Sequence, residues 1–472
     1  MIQLATRTDF PTGVRFCTKE RALELGTGDI FKGKYLEIFS RVSSLGEQEI
    51  LIGLGEKKLT KREVMEAAAC AAACMRDYKI WQYYVDTTGI ESFLTESNWS
   101  YFIQGLYLGG YVEPSFTKDK IQPAEISILV SDSNLVEDKL REGLYLGEGV
   151  EFAREMVNYP GNLLRPRDFA QAIARQMKGL AVEVEILEED QLKELAMNGL
   201  RSVGGSSAFP PCMVVLRYCG NQDAAGEVIG LVGKGVTCDT GGYCLKPAGS
   251  MGGIRGDMAG GAAVAGSIYA LAKNHEAVNV IGVIPICENR ISPDSYLPGD
   301  VITMYDKTTV EICNTDAEGR LILADGVAYA LDREHVTQIV DIATLTGAVV
   351  NLFGFSIGGV LCDNEALYER FAEAAKVSTE QYARIPFYQE HEEMIESRVA
   401  ELKNLGPNYC GTITAGLFIR HFAKGKPWLH LDIAGTAWVE EPLWKFQSKG
   451  ATGAGVTTLY EMCKQQKTKG EN

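Results

Sequence analysis

Two stretches of this 472-residue chain concentrate side chains able to do chemistry. The first, residues 233–261 (GKGVTCDTGGYCLKPAGSMGGIRGDMAGG), is a glycine-rich run broken by Lys234, Asp239, Lys246, Arg255 and Asp257. A phosphate loop of the form G-x-x-x-x-G-K-[ST] has a different register, because Gly233-Lys234-Gly235 runs into Val236-Thr237. Glycine-rich backbone at a strand end can instead gather several short side chains about one point, and aspartates gathered in this way suit a cation. Taken alone, the stretch reads equally as a solvated loop with surface charges. The second stretch is NTDAEGRL, residues 314–321. Its Thr315-x-x-Glu318 spacing fits a capping box, in which threonine and glutamate satisfy free amides at a helix start. The other reading has Asp316 and Glu318 both leaving a strand toward a cleft, with Arg320 as an anion site at the helix start.

Together the stretches supply Asp239, Asp257, Asp316 and Glu318. Four clustered carboxylates cannot all ionise without compensation. Two divalent cations match their formal charge, and metals paired about 3.5–4 Å apart are a known device for activating water. A two-metal hydrolase follows. The five histidines (His275, His335, His391, His421, His430) have no HExxH or similar ligand spacing, so a histidine-rich zinc site is disfavoured. Carboxylate ligands leave the ion open among zinc, manganese and magnesium.

Such loops need a scaffold that holds their ends close together. From residue 168 the apolar pattern alternates in period: helix 168–178, strand 181–187, helix 189–198, strands 213–218 and 228–233, helix 260–273, strand 278–287, a hairpin within 301–313, helix 317–331 and strand 337–343. Strands alternating with helices of this length predict a mainly parallel sheet covered by helices on both faces. Ligands of such sheets bind beyond the carboxyl ends of the strands. Residues 1–147 mix short alternating stretches such as EISILVSD (125–132) with an alanine-rich helix near 63–77. A helical pattern at 148–158 then stops at Tyr159-Pro160-Gly161-Asn162. The expected fold is therefore α/β with two domains: a smaller amino-terminal α/β domain (1–147), a linker helix and turn (148–166), and a larger catalytic domain (167–472). The polar tail KQQKTKGEN (464–472) is expected to fray.

Composition narrows the classes. Hydrophobic residues make up 46% and charged residues 23%, which excludes a disordered or fibrous chain. A net charge of −16 disfavours sequence-independent binding to nucleic acid or anionic lipid. Residues 336–362 are long enough to span a membrane, but Asp341, the glycines and a β-branched run make them strand and then loop. The amino-terminal residues have no apolar stretch behind a basic cap, so a cytoplasmic protein is expected. The twelve cysteines are scattered without a CxxC and read as reduced, mostly buried thiols.

NTDAEGRL resembles the signature of the leucyl (cytosol) aminopeptidases. GKG-x₃-D-x-GG-x₃-KP followed by RGDM-x-GG resembles the same family's preceding segment, as do VNYPGN (157–162), ATLTGA (343–348) and WLHLDIAGTAW (428–438). The likeness runs over roughly residues 150–460, and the first 147 residues share only length and α/β character. It implies that Lys234, Asp239, Asp257, Asp316 and Glu318 hold two divalent ions, Zn²⁺ or Mn²⁺, with Asp239 and Glu318 bridging. Lys234 would ligate as a neutral amine, which requires a group of ordinary pKa about 10.4 to lose its proton. The resemblance further implies that Lys246 stabilises the oxyanion and that Arg320 holds a bicarbonate acting as general base. Thr344, Leu345 and Gly347 would line the substrate pocket.

By the same resemblance the substrates are peptides with a free amino terminus, leucine and similar residues being preferred. A water bridging the metals attacks, and the assembly is a hexamer of two trimers. The amino-terminal domain would serve oligomerisation or regulation. Cys238, Cys244 and Ile254 depart from the family pattern: the cysteines flank Asp239, where alternation turns Cys238 away from the site, and Ile254 stands where methionine is common at the pocket mouth. Two other readings are a different two-metal hydrolase, such as a phosphoesterase, and a DNA-binding architectural role.

Overall fold

A computed structural model gives the architecture. It describes all residues except 8–9, 28–29, 43–47, 57, 89, 91–93, 96–97, 117–123, 132–135, 222–225 and 466–472. Most of the polar tail therefore lies outside the described residues. The chain forms two compact units, Met1–Glu151 with Glu441–Lys449, and Phe152–Glu440 with Gly450–Asn472.

The smaller unit contains β1 (Ile2–Ala5), β2 (Thr12–Thr18), α1 (Lys19–Glu24), β3 (Ile38–Val42), β4 (Gln48–Gly55), α2 (Lys61–Asp77), β5 (Gln82–Asp86), α3 (Trp99–Gly109), β6 (Glu125–Leu129) and most of α4 (Glu137–Asn158). Its sheet runs β1-β6-β5-β2-β4-β3, parallel except for the β3–β4 pair. A capping box between Thr60 and Glu63 starts α2. The alanines of α2 allow α3 to pack close: a Cβ on Gly105 would lie 2.2 Å from the Met65 carbonyl oxygen.

The larger unit continues with α5 (Pro166–Gln176), β7 (Val182–Leu187), α6 (Glu189–Glu194), α7 (Asn198–Gly204), β8 (Cys212–Cys219), β9 (Ile229–Gly233), β10 (Gly235–Asp239), α8 (Ala259–Lys273) and β11 (Asn279–Asn289). Then come β12 (Val301–Thr303), β13 (Thr309–Glu311), α9 (Glu318–Asp332), β14 (Gln338–Ala343), α10 (Gly347–Phe353), β15 (Gly358–Cys362), α11 (Glu365–Ser378) and β16 (Tyr382–Arg384). Its last elements are α12 (Gln389–Glu392), β17 (Leu402–Lys403), α13 (Gly411–His421), β18 (Trp428–Asp432), β19 (Trp438–Val439), β20 (Gly450–Ala451) and α14 (Val456–Lys464).

The central sheet runs β16-β15-β18-β14-β9-β11-β8-β7, and β10 extends it alongside β11. The pairs from β18 through β14 and β9 to β11 are parallel, and antiparallel strands flank them. Side chains alternate across the sheet: Gly282 faces Ile268 and Val264 of α8, while Val232 and Val283 join the core formed with α9 and α13. The architecture is the expected mainly parallel α/β sheet between helices.

Three local expectations change. Helix 189–198 is two short helices, because Ala196 turns left-handed at φ 56° between α6 and α7. Residues 235–239, expected as loop, form β10 by pairing with the far end of β11. The apolar segment 336–362 becomes β14, α10 and β15, and among the described residues no helix is long and apolar enough to cross a membrane. All twelve cysteines are free and seven are buried.

The first turn of α8 passes so close to β14 that a Cβ on Gly260 would lie 2.0 Å from the Ile342 carbonyl oxygen and 3.0 Å from the Lys234 amide. Neither backbone atom can rotate away. We predict that Gly260→Ala lowers stability by at least about 1–3 kcal/mol, seen as a lower thermal midpoint. Gly249→Ala, whose Cβ meets nothing within 4 Å, should leave the midpoint unchanged.

Candidate metal centre

The carboxyl ends of β9, β10, β11, β14 and β18 converge on one cleft. Lys234 lies between β9 and β10, its amide donating to Ile342 and its carbonyl accepting from Gly261, so its main chain is fixed between β14 and α8. The side chain is buried, with Nζ 2.7 Å from Asp257 Oδ1, 2.8 Å from Glu318 Oε1 and 3.2 Å from the Thr344 carbonyl. Asp239 ends β10; its Oδ1 accepts from the Gly241 amide and from Asn289 Nδ2, each at 2.9 Å. Its Oδ2 lies 2.7 Å from Lys246 Nζ, which also bonds Asp316. Asp257, just ahead of α8, accepts from Thr344 Oγ1 at 2.8 Å.

Glu318 is the first residue of α9, where the helix dipole favours an acid. The capping box that its spacing suggests does not form. The residue before α9 is Ala317, which makes no side-chain cap, and Glu318 turns to Lys234 instead. Thr315 Oγ1 donates to the Gly241 carbonyl at 2.6 Å and accepts from the Cys244 amide at 2.8 Å. It thereby ties the NTDAEGRL turn to the glycine-rich loop, and the stronger long-range pairing displaces the local cap.

Asp239, Asp316 and Glu318 bring carboxylate oxygens within 4.8 Å of one another; Asp257 joins them through Lys234. Burial raises the pKa of Asp239 and raises that of Asp257 further, and it lifts Asp316 to about 6 with the help of the Asp239 charge. Glu318 goes the other way: burial pushes it up, but Lys234 and Lys246 outweigh burial and bring it to about 2. Burial pushes the Lys234 pKa down, yet Asp257, Glu318 and Asp239 outweigh it and hold the ammonium above the usual lysine range. The two ammonium groups offset only half of the four acids, and Glu318 Oε2 is buried without a hydrogen-bond partner. A set of carboxylate oxygens with a lysine beside them and no imidazole suits hard divalent cations. A cation must compete with the proton on Asp316 below pH about 6.

Arg320, in the first turn of α9, is buried, and this lowers its guanidinium to about 10 despite Glu318 and Asp432. One amine donates to the Asn404 carbonyl at 2.9 Å, and Nε is buried without a partner. The free donor fits a small anion. All ten residues singled out from the sequence, Thr344, Leu345 and Gly347 among them, line a single cleft of about 510 Å³. The cysteines stay out of the acid cluster: Cys244 Sγ accepts from the Thr315 amide at 3.5 Å, and Cys238 is buried on the side facing Gly161.

The sequence reading missed the residues that hold these groups. Asn289 donates to Asp239 and to the Thr315 carbonyl, each at 2.9 Å. Asn404 accepts from the amides of Cys313 and Asn314 and donates to the Asn314 carbonyl. Asp432, within the quoted WLHLDIAGTAW stretch, accepts from the amides of Leu345 and Thr346.

The catalytic-domain model of the cytosol aminopeptidase family matches residues 151–460, well over half of the chain. The chain belongs to the cytosol aminopeptidase family. As a member it is a metal-dependent aminopeptidase, a hydrolase of peptide bonds. It is 39% identical over 443 residues to a probable cytosol aminopeptidase of Clostridium perfringens (strain 13 / Type A), covering 92% of this chain and 90% of that protein. With the probable cytosol aminopeptidase of Chlorobium limicola it shares 38% over 442 residues, covering 89% and 87%. The solved structure of the bottromycin maturation enzyme BotP in complex with Mn is similar at a TM-score of 0.88 and 29% identity, covering 96% of this chain and 99% of that one.

Gly319 gives Lys234 its room: a Cβ there would lie 2.4 Å from Lys234 Cε and 2.6 Å from Nζ. We predict that Gly319→Ala folds, with unchanged circular dichroism, but retains fewer divalent ions per chain than the parent after dialysis. A full complement by elemental analysis would count against Lys234 as a candidate ligand.

Proposed function

We propose that this aminopeptidase releases amino-terminal leucine and similar residues from peptides, with Lys234, Asp239, Asp257, Asp316 and Glu318 holding two divalent ions, Zn²⁺ or Mn²⁺. The observation that carries this reading is the meeting of four carboxylates, two lysines and one arginine in a single cleft. Two such ions supply charge that brings a water toward hydroxide near neutral pH and polarises the scissile carbonyl.

The chain's own groups supply the rest. The acid-lined cleft draws in the positive amino terminus of a peptide, and Thr344, Leu345 and Gly347 shape the space for its first side chain. Lys246, held above the usual lysine range because Asp239 and Glu318 outweigh its burial, keeps its proton and places an ammonium against the oxyanion. Arg320 would hold a bicarbonate through its unpartnered Nε, and that anion would supply a general base in a cleft whose lining includes no histidine. The reading includes a cytoplasmic hexamer in which the smaller unit serves assembly or regulation.

Two measurements test it. Metal-loaded protein should hydrolyse leucyl-p-nitroanilide and leave p-nitrophenyl phosphate intact; turnover of the phosphate alone would replace the peptidase by a phosphoesterase. Lys246→Ala should lower kcat by about 10²–10³-fold, with KM little changed and the metal complement retained. Loss of the ions instead would exchange the roles given to the two lysines.

A further inference from the structure

The Thr344–Gly347 loop is held from two sides. On one side it is tied to the metal centre: Thr344 Oγ1 donates to Asp257 at 2.8 Å and the Thr344 carbonyl accepts from Lys234 at 3.2 Å. On the other side stands Asp432, the last residue of β18, fully buried. Its Oδ1 accepts from the amides of Leu345 at 3.2 Å, Thr346 at 3.4 Å and Ala434 at 3.2 Å. Its Oδ2 accepts from Thr346 Oγ1 at 2.6 Å. That hydroxyl also contacts Thr412 Oγ1 at 2.9 Å and caps α10 by accepting from the Val349 amide at 3.2 Å. The four donors to Asp432 are the loop's own amides and hydroxyl and the amide of the turn after β18.

A buried carboxylate satisfied by neutral donors alone is expensive to keep. It fixes the direction of two successive amides, and therefore the facing of the main chain between them, far more tightly than a solvated turn would. The strand end that carries it is anchored: Asp432 pairs with Ala343 in the β14–β18 ladder, and the next residue, Ile433, donates to the Ala343 carbonyl at 2.9 Å. We propose that Asp432 is a positioning residue for substrate: it clamps Leu345 and Thr346 so that the Thr344–Gly347 main chain keeps its distance from Asp257 and the first side chain of the peptide meets a preformed wall. Asp432 touches neither ions nor peptide and acts through the loop. The inference rests on the aminopeptidase reading, because it treats this loop as the substrate wall.

The test compares Asp432→Ala, Asp432→Asn and the parent on leucyl-p-nitroanilide, with hydrogen exchange followed over residues 343–350. Parent turnover is read first and decides the aminopeptidase reading by itself. Given that turnover, Asp432→Ala should raise KM tenfold or more, change kcat less than threefold, keep the ions, and speed exchange at Leu345 and Thr346. Asp432→Asn should stay within threefold of the parent KM, because its Oδ1 can still accept the amides and its Nδ2 can donate to Thr346 Oγ1, which then donates to Thr412. A parental KM and parental exchange in Asp432→Ala overturn the proposal, as does a loss confined to kcat. Should Asp432→Ala fail to fold, Thr346→Ala, which removes the hydroxyl from Oδ2, should raise KM threefold or more, and an unchanged KM there overturns the proposal equally.

Discussion

Carboxylates that are removed from water and placed within a few ångströms of each other oppose both burial and one another. Asp239, Asp257, Asp316 and Glu318 are in that position, and the larger unit is organised around making it tolerable. Each acid sits at the end of a strand or the start of a helix, where the chain cannot relax away. Main-chain amides, Asn289 and Thr344 take up some of the acceptor capacity, and Lys234 and Lys246 each bridge two acids. Removing one cation from such a set leaves a buried charge uncompensated, which costs several kcal/mol. The site is therefore intolerant of change at the lysines as well as at the acids.

The same constraint explains the glycines. Charged groups carried by separate strand ends, loops and helix starts can meet only if the backbone carrying them comes closer than a Cβ allows. Gly260 brings α8 against β14, and Gly319 leaves room for the Lys234 chain. Gly241 turns at φ 86° beside the Asp316 carboxylate, where a Cβ would lie 2.8 Å from Oδ1. Within residues 233–261, clearance thus accounts for Gly233, Gly235, Gly241, Gly242, Gly260 and Gly261, whereas Gly249, Gly252 and Gly253 would meet nothing within 4 Å.

Much of the scaffold was legible because it is periodic. Strands such as 228–233 and 337–343 and helices such as 260–273 are fully buried runs of the right length, and they appear within a residue or two of where the pattern puts them. What failed was local chemistry with two solutions. Thr315 and Glu318 can cap each other or reach other partners, and the choice is made by Gly241, Cys244 and Lys234, some 70 or more residues earlier in the chain. The short helices α6 and α7 escaped for a similar reason: the turn at Ala196 uses a left-handed residue that is not glycine. Asn289, Asn404 and Asp432 are single polar residues at strand ends or in loops. Nothing in their type or spacing separates them from ordinary turn residues, and only the fold supplies the partners that give them a role.

Two buried polar atoms without a partner carry the chemistry one step further. Glu318 Oε2 is an acceptor and Arg320 Nε a donor, and they stand two residues apart in the first turn of α9, at the edge of one cleft. An unanswered polar atom in the interior costs about 1–3 kcal/mol, and two of opposite character in one helical turn cannot satisfy each other without unwinding it. One requires a cation and the other an anion. A helix start that offers an electron pair and a hydrogen side by side can receive a cation and an anion at neighbouring positions. No histidine lines this cleft, and the proposed reading therefore places the base on an anion at Arg320 and on no side chain of the protein.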